Sequence, residues 1–424
     1  MTCANIKPKN HQIASVSRIE QLTGIMLPMQ SNITKLYLSN FLTGFVFWYG
    51  IEKLFMQSIG LDAAAIGVIA AFGIGIVAFG DIPSGILADS WSRKGTLMLS
   101  AACLGGSSLI LGLSHGFNQY ICGYLFYSLY VVATSGTYQA IMYDTLHELG
   151  RSQHYSQVAG RSYALFLAGA GLGDIIGGFV GQHFGLVTPF LVSVIPCLLN
   201  IVVMASLVEP VFHKAEHKER LLKQLNGVVK EIAAEPLLRV LAIVLSLFWV
   251  IEMFKLDFGQ LYLLRYVSSL PVMGSLWALY AFVWAGGSLL AHRFKRHLTW
   301  LIVAATVPIV LMAAVDHWVA IVFLFVQIFA MGALQNQIET KVQAATPSVV
   351  RASVLSVLSF MGRFITIPAS IGMGWVFQHY GVMTAVSLTA TVAAGILVFW
   401  FVSRPKLAAV KPEVIVAVTT GTVE

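Results

Sequence analysis

The chain has 424 residues, of which 57% are hydrophobic and only 11% charged. Soluble domains carry about 25% charged residues, so this balance excludes an ordinary soluble protein and points to one that crosses a membrane many times. The formal net charge of +7 does not mark a nucleic-acid binder, because the bases fall in alternate connections between apolar runs, which is the positive-inside pattern of a membrane topology.

Apolar runs near the ~20 residues that span a bilayer predict twelve helices, at 33–56, 62–84, 95–114, 118–146, 158–181, 186–208, 237–266, 271–291, 298–315, 318–342, 353–377 and 383–403. The expected fold class is an all-α polytopic membrane protein with twelve transmembrane helices in two pseudo-symmetric six-helix bundles. Its domains are a cytoplasmic tail (1–32), a first bundle (33–208), a cytoplasmic amphipathic linker (209–236), a second bundle (237–403) and a cytoplasmic tail (404–424). Residues 1–30 carry Lys7, Lys9 and Arg18 but no apolar core of about 7–15 residues before a small-residue cleavage site, so no cleaved signal peptide is expected. Both tails are expected to be disordered. The four cysteines, Cys3, Cys103, Cys122 and Cys197, lack metal-ligand spacing, and no metal site is expected.

In span 1, Phe41, Phe45, Trp48 and Glu52 recur on one helical face that ends in an acid. The stretch GILADSWSRKGTL, residues 85–97, sets Asp89, Arg93 and Lys94 in a tight turn between spans 2 and 3. Span 4 carries Tyr127 and Tyr130, then Gly136, Gln139 and Asp144. Span 5 carries Gly160, Gly169, Gly173, Gly177 and Gly178, and a glycine at every fourth position from Gly169 makes one smooth face suited to close packing in lipid.

The connection 209–236 places Leu221, Leu222, Leu225, Val228, Val229 and Ile232 at near-helical spacing, which predicts an amphipathic helix along the membrane face. Span 8 repeats an aromatic face with Trp277, Tyr280 and Trp284, and span 10 sets Gln335 and Glu339 four residues apart. The halves repeat each other. Gln182, His183, Gly185 and Thr188 match Gln378, His379, Gly381 and Thr384 at 378 − 182 = 196, and the same offset pairs Gly136 with Gly332 and Gln139 with Gln335. One register across separate stretches predicts parallel repeats about an axis along the membrane normal.

Two of these motifs resemble signatures of the major facilitator superfamily. Gly85, Leu87, Ala88, Asp89, Arg93, Lys94 and Leu97 resemble its loop between helices 2 and 3, with Ser90 and Ser92 departing from the pattern. The span 5 glycines resemble its antiporter signature, with Asp174 where the family has proline, so the expected kink is missing. Val132 stands where the family often has an arginine tied to proton coupling. The resemblance implies a secondary carrier that alternates access by rocking one bundle against the other, with Gly85, Asp89, Arg93 and Lys94 as its gating loop.

A charge at the bilayer centre costs about 2.5–3.5 kcal/mol or more and so marks a functional position. The candidates for proton coupling are Asp144, Asp257, Glu339, Asp81, Asp174 and Glu52. A structural Asp144–Arg93 pair competes with proton carriage at Asp144. Glu252 and Lys255, three apart on one face, neutralise each other. The expected cavity is lined by Phe41, Phe45, Trp48, Tyr127, Tyr130, Gln139, Trp277, Tyr280, Trp284, Gln335 and Arg363, walls that suit an amphipathic, cationic molecule, while Arg363 leaves room for an anion. Core packing is the competing reading of these stripes. No Walker loop, His-Glu-x-x-His or Gly-x-Ser-x-Gly is present, so no enzyme and no cofactor is expected, and a proton gradient is the simplest energy source. The reading is a monomeric multidrug-type proton antiporter of the cytoplasmic (inner) membrane with both termini cytoplasmic. An exporter of an endogenous metabolite such as a siderophore and a proton-coupled uptake symporter are the alternatives.

Overall fold

A computed structural model describes residues 29–210, 232, 234–295, 297–346 and 351–408, with the side chains of 82, 85–90, 351–353 and 406–408 left undescribed. Every element among the described residues is helical. In a bilayer the backbone has no water to bond, so each segment must satisfy its own amides and carbonyls.

Twelve helical stretches fall on the twelve predicted intervals. We number them α1 (29–44, continued by Tyr49–Ile51 and Glu52–Ser58), α2 (Ala63–Ser90), α3 (Arg93–Gly112), α4 (Phe117–Thr134 and Thr137–Glu148), α5 (Tyr155–Phe184) and α6 (Thr188–Val192 and Val194–Ala205). The second half has α7 (Pro236–Met253, Phe254–Phe258 and Gly259–Leu263), α8 (Leu270–Leu290), α9 (Leu298–Ala314), α10 (Ala320–Ala345), α11 (Arg351–Tyr380) and α12 (Val382–Ala408). Among the described residues nine helices are long and apolar enough to cross a membrane. The stretch Leu298–Ala314 is a shorter apolar helix, and α1 and α4 are divided by breaks.

The two halves pack alike. In the first, α3 lies against α4 and α6 and α2 against α4; in the second, α9 lies against α10 and α12 and α8 against α10. The bundles meet where α2 packs on α11 and α5 on α8. Both ends of the described chain share one side with the end of α6 and the start of α7, here the termini face. The connections at 59–62, 113–116, 185–187, 264–269, 315–319 and 381 form the far face.

Local signals set the helix ends. Ser92 caps α3 by accepting from Gly95 N at 2.8 Å, and Asp62 accepts from Ala65 N at 2.8 Å at the start of α2. The repeat is visible in the backbone: Gly185 (φ 88°) and Gly381 (φ 83°) end α5 and α11 in the left-handed region that favours glycine. Just before them, the His183 and His379 rings bond the carbonyls four residues back, each at 2.9 Å.

Elsewhere the repeat diverges. Gly136 takes φ 73° and splits α4. Its counterpart Gly332 sits inside an unbroken α10, where a Cβ would strike the Trp284 carbonyl of α8. One glycine bends the chain and the other admits a neighbour.

Helix boundaries differ from the predicted spans by a few residues: α1 starts at 29, and α12 runs to Ala408. The amphipathic helix expected in 209–236 falls almost wholly outside the described residues, as do residues 1–28 and 409–424 of the tails.

Candidate functional site

Between the bundles at mid-height lies a cavity of about 600 Å³. Six of the twelve helices supply its walls: α1 (Tyr49, Glu52, Lys53), α2 (Val77), α4 (Tyr124, Tyr127, Tyr130), α5 (Phe166, Asp174), α7 (Trp249, Asp257, Gln260) and α8 (Trp277, Tyr280), with Arg363 of α11 adding a seventh. A smaller space of about 310 Å³ adjoins it, sharing Leu167, Trp249, Leu256, Tyr280 and Ala281, and reaches Glu252, Trp284 and Gln335.

The charges around these spaces sort into pairs and remainders. Glu52 accepts from Lys53 Nζ at 2.9 Å and from the Tyr120 hydroxyl at 2.9 Å. Lys255 lies 2.6 Å from Glu252 and donates to Gln327 Oε1 at 2.7 Å, with its ammonium 5.5 and 5.6 Å from the ring centres of Tyr280 and Trp284. Arg363 of α11 bonds Asp81 of α2 across the interface, and Arg93 bonds Asp144 within the first bundle. Two buried acids, Asp174 and Asp257, have no salt bridge to a base among the described residues. Asp174 is 3% exposed, and its Oδ1 has no hydrogen-bond partner among them. A carboxyl so placed stays in low dielectric by holding a proton or by meeting a cation.

Several expected cavity residues are placed elsewhere. Phe41, Phe45 and Trp48 do not share a face with Glu52 along the cavity, because the helix breaks over 45–48 and its period is lost. Trp48 is 1% exposed, stacks on Phe190 at 5.2 Å and donates Nε1 to Ser108 at 3.0 Å, while Phe41 and Phe45 stack on each other at 5.3 Å. Gln139 is exposed beyond the break in α4. Trp284 and Gln335 line the smaller space instead of the central one, and Glu339 is half-buried outside both, accepting from Gln335 Nε2 at 3.0 Å. Tyr127, Tyr130, Trp277, Tyr280 and Arg363 do line the central cavity.

The glycine face of α5 meets backbone. A Cβ at Gly169 would strike the Phe41 carbonyl of α1, one at Gly173 or Gly177 the carbonyls of Val46 and Phe47 in its break, and one at Gly178 would fall 2.5 Å from the Leu270 carbonyl at the start of α8. Gly160 is the exception. It has nothing within 4 Å, since it sits at the termini end of α5, away from that contact. The expected gating loop is mostly helix: Gly85 and Asp89 lie in the last turns of α2 and Arg93 and Lys94 in the first turn of α3, which leaves Trp91 and Ser92 between the helices. Lys94 donates Nζ to the Leu207 carbonyl at 2.9 Å; the side chain of Asp89 is outside the described residues.

Sequence reasoning missed Tyr49, Lys53, Tyr124, Trp249 and Gln260. Lys53 lies beside Glu52 near the end of span 1, where a lysine reads as reaching for the interface, yet it is 3% exposed. Gln260, a polar residue inside span 7, was the available signal for its position.

The family model described as Major Facilitator Superfamily matches residues 35–365. No curated protein matches the sequence. Among solved structures, the nucleoside transporter NupG superposes with a TM-score of 0.71 at 15% identity, over 90% of this chain and 98% of that one. A bacterial homologue of the human lysosomal transporter Spinster, inward-facing and unoccupied, gives 0.70 at 16% identity over 91% and 98%. A D-xylose–proton symporter gives 0.66 at 12% identity over 87% and 97%. At these identities the likeness is one of fold.

Proposed function

The chain belongs to the major facilitator superfamily of membrane transporters, and on that premise we propose that it is a proton-coupled antiporter exporting small amphipathic organic compounds. The observation that carries this reading is the pair of buried acids without a salt bridge, Asp174 and Asp257, on a cavity walled by tyrosine and tryptophan. Aromatic faces take flat apolar or cationic groups, and a buried carboxyl outside any salt bridge takes up and releases a proton as access alternates. The glycine seam of α5, with its resemblance to the antiporter signature, favours export. In this reading the termini face is cytoplasmic, twelve helices cross the inner membrane, and the carrier works as a monomer. Residues 209–236 tether its halves, and Asp89, Arg93 and Lys94, at the facing ends of α2 and α3, act as the gate there.

Asp257 and Asp174 are the leading proton carriers. Asp144, Asp81 and Glu52 are engaged by Arg93, Arg363 and Lys53, which makes them structural first, and Glu339 stands apart from the cavity. Uptake by symport is the second reading, favoured by the fold shared with the D-xylose–proton symporter.

The test begins with thermal-shift screening of the purified protein, which identifies compounds that bind it. Trp277→Cys and Tyr124→Cys variants are then labelled with a water-soluble thiol reagent, and a compound that binds the cavity should protect both. Equal labelling with and without every stabilising compound would place the binding site elsewhere. Expression in a drug-sensitive host separates export, which raises resistance, from uptake, which does not.

A further inference from the structure

At the far face the two bundles touch through side-chain amides and main chain. Gln260 of α7 is 1% exposed and reaches across to α1. Its Nε2 donates to the Tyr49 carbonyl at 2.6 Å, and its Oε1 accepts from the Lys53 amide at 2.9 Å. Those two groups are four residues apart, the donor and acceptor that an unbroken α-helix would join directly. The carboxamide of one bundle is thus inserted into a helical hydrogen bond of the other.

Two more glutamines flank it, and they are the pair found in the internal repeat. Gln378 of α11 accepts from the Ala63 amide that opens α2, at 3.2 Å; Gln182 of α5 accepts from the Leu270 amide that opens α8, at 3.4 Å. In each case a glutamine near the end of a fifth-position helix meets the first amide of a second-position helix in the opposite bundle. First-turn amides have no partner within their own helix. For α8 the local sequence offers no substitute, since Ser269 makes no side-chain cap bond and Pro271 brings no amide.

We propose that Gln260, inserted between Tyr49 and Lys53, is the far-face gate of this carrier, with Gln182 and Gln378 as its pseudo-symmetric rim. When the far face opens, Gln260 withdraws and the Lys53 amide re-pairs with the Tyr49 carbonyl, so α1 closes up and no buried backbone group is stranded. The gate therefore exchanges one hydrogen-bonded state for another, the two-state element that alternation requires. It also acts on the cavity, because Lys53 holds Glu52 and both line it. Extension of α1 by re-pairing moves this ion pair with the gate.

The proposal rests on the alternating-access reading above, and its test reads access, not transport. Val77 lines the cavity. Val77→Cys, in the full chain with the native cysteines replaced by serine, is labelled from the far side of sealed vesicles with a membrane-impermeant maleimide. Gln260→Leu, which keeps the side-chain bulk and removes the amide, should raise the far-side rate at least about threefold, as the loss of a buried hydrogen-bonded contact shifts a two-state equilibrium. Gln182→Ala with Gln378→Ala, both at exposed positions, should raise it by less. This pair decides the matter if Gln260→Leu fails to fold. Unchanged far-side labelling in every variant that folds overturns the gate. A raised rate in a protein that exports nothing leaves the gate standing and removes the export reading alone.

Discussion

The two halves of the bundle interface are built from different materials. Toward the far face, helices approach backbone to backbone: a Cβ on Gly67 would fall 2.5 Å from the Ser370 carbonyl, one on Gly374 2.5 Å from the Ala63 carbonyl, and one on Gly274 would strike the Asp174 carbonyl. Toward the termini face, the ion pair Arg363–Asp81 and the edge-on rings of Phe79 and Phe360, 6.2 Å apart, join α2 to α11. A Cβ on Gly160 there would meet nothing within 4 Å. Within lipid no hydrophobic force drives helices together, so close packing and hydrogen bonds must do it. The far half uses both over a long seam, whereas the termini half leans on partly exposed charges that water can replace. The difference makes the far face the tighter closure in the state described.

The sharpest contrast lies within α5. Gly177→Leu should cost on the order of 3 kcal/mol or more, since the Phe47 backbone cannot yield to a side chain. Gly160→Ala should change stability by less than about 1 kcal/mol, in the stabilising direction, because the position is open and alanine favours the helix. Thermal unfolding of both variants in detergent checks the pair, and equal effects would erase the distinction between the two ends.

A comparable loss is expected from Glu252→Gln. It strands Lys255, which is 1% exposed, and breaking one partner of a buried pair costs about 3–5 kcal/mol. The double change Glu252→Gln with Lys255→Met should recover most of that loss. If it recovers none, the pair is not what holds this region.

Arg363→Ala should matter less to stability, by about 1 kcal/mol or below, because both partners are about a quarter exposed. Its effect should appear in access: faster labelling of Val77→Cys from the termini side. Exchanging the charges, as Arg363→Asp with Asp81→Arg, should restore the slower rate.

The smallest effect is expected at Arg265 and Asp316, an exposed far-face pair in which the guanidinium holds the Asp316 carboxyl below the usual carboxylate range. A depressed carboxylate stabilises the fold above its unfolded pKa and loses that contribution as pH falls through the folded one. The difference in melting temperature between wild type and Asp316→Asn should therefore stay flat from about pH 8 to pH 5 and close only in stronger acid.

What could be read from residues alone was whatever depends on local period and charge. The glycine repeat of α5, the Glu252–Lys255 pair three residues apart and the offset of 196 all belong to that class. The break in α1 does not. Phe41, Phe45, Trp48 and Glu52 keep a helical period in sequence, yet the chain leaves the helix at 45–48, where the Phe47 amide bonds Ser193 Oγ at 2.9 Å. Those partners lie 146 and 211 residues away for Phe47 and Tyr49, beyond any local pattern. Lys53 was hidden for the same reason, since its burial is made by another bundle. The carboxyl at Asp174 was legible as an oddity in a glycine face, but its position between α1 and α8 was not.

The central claim is that protons taken up by Asp257 and Asp174 drive the carrier, and reconstituted vesicles test it directly. With a compound identified by thermal shift, an imposed pH gradient should drive its accumulation against its own gradient in wild type. Asp257→Asn and Asp174→Asn should lose that accumulation while still exchanging the compound across the membrane. Full gradient-driven accumulation in both variants, or none of it in wild type, would contradict the account.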